Sequence, residues 1–185
     1  MKAVEELKME HRGIEVMLQV MNAISERLGR GEPVPAPHLD GILEFLTVFI
    51  DTCHHGKEEE FLFPALESAG VAREGGPIGV MLREHQEGRD LAARLRQSAP
   101  GCKSGDQTAV AELRNTVQEY VNLLFRHIEK EDTVLFPMAD ARLDADQDAT
   151  LVEAFERLER ERIGPGRHEA FHALLDQLED AYLKT

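Results

Sequence analysis

The chain has 185 residues, 42% of them apolar and 30% charged, with a formal net charge of −14. That suits one globular domain, and so acidic a surface would be repelled by nucleic acid and by anionic membranes. Two cysteines are too few for a disulfide framework or a thiolate zinc site, no run approaches the ~20 apolar residues that span a bilayer, and no secretory leader is expected, so the expected setting is a reducing cytoplasm.

Trp is absent and Leu, Ala, Glu and Arg dominate, which favours helix throughout. Apolar residues recur at helical spacing over 3–28, up to the Gly/Pro-rich stretch 29–37. A second helix is expected over 37–68, opened by Pro37 and kinked or ended near Pro64. The breaker 70–77 precedes a third helix over 77–97, and 98–106 (SAPGCKSGD) reads as a loop. A fourth helix over 107–138 carries Pro137 near its end and gives way to an Asp-rich loop over 139–148. Shorter helices are expected over 149–163 and 167–184, parted by Gly164-Pro165-Gly166. Four long helices with short connections imply an all-α, up-down-up-down four-helix bundle over 1–140. The extra C-terminal helices of 141–185 belong to the same domain and would fold over one end as a lid.

An internal repeat carries the chemistry. His54-His-Gly-Lys-Glu58-Glu-Glu-Phe-Leu-Phe-Pro64 matches His127-Ile-Glu-Lys-Glu131-Asp-Thr-Val-Leu-Phe-Pro137 at an offset of 73 residues without a gap. Glu10-His11 is matched by Glu84-His85. On a helix, positions i and i+4 lie about 40° apart, so His54 and Glu58 share a face, as do His127 and Glu131. Those faces are the apolar ones: Leu43, Thr47, Ile50, Phe61 and Ala65 surround His54, and Tyr120, Leu123, Val134 and Met138 surround His127. His11 and His85 also sit on apolar stripes, near the starts of helices 1 and 3. In an antiparallel bundle those starts meet the ends of helices 2 and 4, so all six groups reach one level. Buried carboxylates are costly unless paired or bound to a cation. Imidazoles plus two carboxylates suit Fe, Mn or Zn, and a shared pair of carboxylates favours two ions.

The residues Glu10-His11, Cys53-His54-His-Gly-Lys-Glu58-Glu, Leu62-Phe-Pro64, Glu84-His85, His127-Ile-Glu-Lys-Glu131 and Leu135-Phe-Pro137 together resemble the hemerythrin-like (HHE cation-binding) family. The resemblance implies a four-helix bundle around a non-haem di-iron centre with an oxo or hydroxo bridge. His11, His54, His85 and His127 would be terminal ligands, and Glu58 and Glu131 would bridge. Oxygen-carrying members have a second His one turn beyond the third-helix His, where this chain has Arg89, and an Asp five residues after the last His, where Glu131 comes after four. A fifth imidazole must therefore come from elsewhere or be missing. His168, which follows the Gly-Pro-Gly breaker, is favoured because the chain leaves helix 4 at the metal end; His55, within a turn of Glu58, is the other candidate.

His168-Glu-Ala-Phe-His172 also fits the zinc-protease signature, but no His follows to complete that site. The expected function is a di-iron protein binding O2, NO or peroxide. The alternatives are an enzyme that reduces peroxide or NO or repairs iron centres, and an iron storage or interaction module without turnover.

Overall fold

The structure, a computed structural model, describes residues 1–184 and consists of helices, with no strand among the described residues. Helix α1 is Lys2–Gly29. Helix α2 spans 36–68 and is not uniform: Ala36–Glu44 and Phe63–Ser68 are α-helical, whereas Phe45–His55 and Glu58–Leu62 are wound as wider π-helix. Helix α3 is Pro77–Lys103. Helix α4 spans 107–142 with one π-helical turn, Glu131–Leu135. Helix α5 spans 145–163, and α6 is Arg167–Tyr182.

Two expected boundaries move. Helix α3 runs through Pro100 to Lys103 rather than stopping at residue 97. Ser98, Ala99 and Cys102 are buried, and Ser98 Oγ donates to the Arg94 carbonyl, so tertiary packing holds the last turns against the proline. The loop expected over 139–148 shrinks to the break at Leu143 and Asp144, because Asp144 and Gln147 form a capping box that starts α5 early.

Pro64 and Pro137 do not end their helices, which continue to Ser68 and Arg142. Each follows a widened turn in which the Phe63 and Phe136 N–H groups reach back five residues, to the Glu58 and Glu131 carbonyls. The pyrrolidine ring is accommodated by that turn, and the α-helix resumes.

The apolar core falls into two clusters. One joins Ile14 and Leu18 of α1, Phe45 and Ile50 of α2, Leu91 and Leu95 of α3, and Val117 and Leu124 of α4. The other joins Leu7 of α1, Leu62 and Phe63 of α2, Ile78 and Met81 of α3, and Leu135 and Phe136 of α4. Along each helix the stretch between the two clusters carries the buried His and Glu residues. Apolar packing above and below thus holds a polar layer at one depth.

Helices α5 and α6 pack against α1 and α2. Asp148 accepts hydrogen bonds from the backbone N–H groups of Lys2 and Ala3, capping the otherwise uncapped start of α1. Further on, Leu158 and Leu174 sit against Gly56 and Gly41, where an added Cβ would stand 3.2 and 3.0 Å from their methyl groups. His38 Nδ1 meets the Tyr182 hydroxyl at 2.7 Å near the far end.

Candidate metal centre

His11, His54, His85, His127, Glu58 and Glu131 are all buried and converge in the polar layer. The imidazoles form two pairs. His11 Nε2 lies 3.1 Å from His54 Nε2, and His85 Nε2 lies 3.1 Å from His127 Nε2. The carboxylates span the pairs: Glu131 Oε2 is 3.2 Å from His11 Nε2, while its Oε1 is 3.2 Å from His127 Nε2. Glu58 Oε1 faces His54 Nε2 at 3.8 Å and its Oε2 faces His85 Nε2 at 3.4 Å.

The outer nitrogens fix the tautomers. His54 Nδ1 pairs with Glu10 Oε2 at 2.8 Å and His127 Nδ1 with Glu84 Oε2 at 3.0 Å. His11 Nδ1 pairs with Asp132 Oδ1 at 2.9 Å and His85 Nδ1 with Glu59 Oε1 at 2.7 Å. These partners obey the repeat: Glu10 corresponds to Glu84, and Glu59 to Asp132. An imidazole that donates from Nδ1 to a carboxylate presents a lone pair at Nε2. With all four rings neutral, two such lone pairs would face one another within each pair; with one ring protonated, its Nε2–H donates across the pair. Donors about 2.1 Å from a shared ion and at right angles to each other would be roughly 3.0 Å apart, so the spacing is that of two ligands of one cation.

None of the four carboxylate oxygens of Glu58 and Glu131 has a hydrogen-bond partner, although all are buried. Burial alone would raise the Glu131 carboxyl pKa, but His127 and His11 hold it well below the usual carboxylate range. Burial pulls His11 down as well; Asp132 and Glu131 outweigh this and lift it to about 10, and His127 reaches about 10 for the same kind of reason. Without a metal, protons on imidazoles are the remaining counter-charge in the layer.

His55 joins this layer and His168 does not. The His55 ring stacks on His85 at 3.8 Å, and neither of its nitrogens has a hydrogen-bond partner. His55, Glu58, His85 and His127 each offer an atom within 4.8 Å of the others, and so do His11, His54, Glu58 and Glu131. Burial and the neighbouring imidazoles push the His55 pKa well below its ordinary value, which keeps this imidazole neutral. His168 is 30% exposed, with Nδ1 3.5 Å from Glu159 Oε1, and stacks on His172 at 4.8 Å. Arg89 donates to Asp51 and Glu59, both at 2.6 Å, and so holds the partner of His85.

Glu10, Glu59, Glu84 and Asp132 are the functional residues that helical periodicity passes over. All four lie within or beside the repeated motifs, but each serves a histidine on a different helix, which one helix's pattern does not reveal.

Residues 2–139 match the family described as the hemerythrin HHE cation binding domain, and the chain belongs to that family. Uncharacterized protein Rv1995 of Mycobacterium tuberculosis is 29% identical over 178 residues, covering 96% of this chain and 68% of the relative. The iron-sulfur cluster repair protein YtfE of Escherichia coli is 30% identical over 103 residues, 54% of this chain and 47% of YtfE. No solved structure matches at a significant level. No helix among the described residues is long and apolar enough to cross a membrane.

Proposed function

We propose that the chain holds two iron ions and uses them to bind a small oxidant or diatomic ligand, O2, NO or peroxide. The observation that carries this is the set of four buried, unpartnered carboxylate oxygens, of which each glutamate aims one at each imidazole pair. One ion would be held by His11, His54, Glu58 and Glu131. The other would be held by His55, His85, His127, Glu58 and Glu131. Such a pair of ferrous ions would supply two electrons and, at the first ion, a coordination position not filled by protein. The repeat places the buried Ile128 as the counterpart of His55, so the first ion would have no fifth imidazole. Glu10, Glu59, Glu84 and Asp132 orient the imidazoles and take their Nδ1 protons in hydrogen bonds.

The same reading takes 1–140 as an up-down-up-down bundle, supported by the alternating order in which successive helices pass between the two apolar clusters. Residues 141–184 are then a strap along α1 and α2 rather than a lid; Thr185 lies outside the described residues.

The similarity to YtfE favours a second reading, in which the centre serves repair of iron–sulfur clusters. Metal analysis and optical spectra separate the readings. A ligand-binding centre gives two irons per chain, with absorption that changes on reduction and on adding O2, NO or azide. A repair protein gives up iron to a cluster-depleted acceptor, and a ligand binder keeps it. A spectrum indifferent to every small ligand would overturn the first reading.

A further inference from the structure

The C-terminal helix pair lies beyond the residues matched to the family, yet it reaches the metal layer. Lys57 is 0% exposed, and its ammonium donates to three carboxylates: Glu6 Oε1 at 2.6 Å, Glu10 Oε1 at 2.5 Å and Glu159 Oε1 at 2.5 Å. An ammonium has three N–H donors, so these partners satisfy it completely. Two of them come from α1 and the third, Glu159, from α5. The other oxygen of Glu10 receives the His54 Nδ1–H at 2.8 Å. A continuous line of contacts therefore runs from Glu159 through Lys57 and Glu10 to His54.

The repeat supplies an internal comparison. Lys130 corresponds to Lys57 and pairs with Glu84, which receives the Nδ1–H of His127. Lys130 is 39% exposed, and Glu84 is its one ion-pair partner among the described residues. The support behind His127 is thus a single ion pair open to water. The support behind His54 is buried and anchored to α5.

We propose that Glu159 is a positioning residue of the metal centre: by completing the partners of Lys57 it fixes Glu10, and through Glu10 the ring of His54. The C-terminal helix pair then sets the affinity of the His11/His54 position and leaves the His55/His85/His127 position alone. This second clause rests on the two-ion reading above; the positioning of His54 does not. A buried ammonium that loses one partner must recruit water or shift, and either releases Glu10.

Two measurements on the full chain test this. In competition titrations with cobalt(II), wild type is expected to bind two ions. Glu159→Leu keeps about the size of the side chain, removes the acceptor for Lys57, and is expected to weaken one step about 10-fold while leaving the other within about 2-fold. Glu159→Asp restores part of the loss. Arg162→Ala, which removes the α5 ion pair to Glu60 without touching the line to His54, leaves both steps unchanged. Equal weakening of both steps by Glu159→Leu, or weakening of neither, overturns the proposal. In the metal-free protein, solvent exchange of the His54 Nδ1–H, read by NMR, should quicken about 10-fold in Glu159→Leu while that of His127 stays as it was. Unchanged exchange at His54 overturns the positioning role however many ions bind. Fewer than two cobalt ions in wild type, with faster exchange at His54, would instead overturn the two-ion reading and leave the positioning role standing.

Discussion

Each of four histidines in the polar layer spends one nitrogen on a carboxylate and turns the other inward. That division makes the metal-free centre a proton store. With His11 and His127 raised from 6.5 to about 10, both imidazoles carry protons in the folded, metal-free chain at neutral pH. A histidine whose pKa is higher folded than unfolded contributes stability fully below its unfolded value and loses it as pH rises through the folded one. The melting temperature of the metal-free protein is therefore expected to fall between pH 6.5 and about 10, and that of the loaded protein to change little. A flat melting profile for the metal-free form would show that these imidazoles are neutral. Metal must displace those protons, and against burial Glu58 and Glu59 raise the His85 pKa as well, so calorimetry in buffers of different ionisation enthalpy should register at least about two protons released per chain at neutral pH. Release of none would contradict the same assignment. Six of the residues in the layer were legible from the repeat because His-x-x-x-Glu on an apolar stripe leaves few other uses for a buried carboxylate. His55 was harder to weigh: on a regular α-helix it turns about 100° away from His54. The π-helical winding of Phe45–His55 puts more residues in each turn, brings consecutive side chains closer in angle, and lets both histidines face inward.

At the scale of elements, periodicity and breakers placed the six helices of the described residues, and the errors came where tertiary contacts overrode local signals. Ser-Ala-Pro-Gly reads as a breaker, yet Ala99 and Cys102 are buried there and hold α3 in helical form past Pro100. The π-helical turns at Glu58 and Glu131 have no propensity signature; their trace in the sequence is the repeated Leu-Phe-Pro that follows. The partner of α1's first turn was equally hidden, because Asp148 lies 145 residues from Ala3. Its carboxyl pKa is raised by burial but lowered more by the two backbone N–H groups it accepts from. Asp148→Ala is expected to cost about 1 kcal/mol of stability, as loss of a helix N-cap does, and Asp148→Asn much less. Equal losses for the two variants in denaturant titration would mean that charge, rather than hydrogen-bond acceptance, is what the position supplies.

Across the whole molecule, the metal layer is a seam between two apolar clusters, each complete enough to hold the four long helices together. The helical circular dichroism spectrum should survive chelation, while the melting temperature drops. Ions binding only the folded state stabilise it by about 4 kcal/mol when present at a thousand times their dissociation constant. Collapse of the helical signal on chelation would mean that the clusters do not suffice. The two-ion centre itself is tested most directly by iron content, measured on the wild-type chain and on Glu58→Ala and Glu131→Ala after loading under identical conditions. Two irons per chain are expected in wild type, and loss of the pair in each variant, since each carboxylate faces both imidazole sets. A single ion in wild type, or two irons with an unchanged spectrum in either variant, would contradict a centre built around both carboxylates.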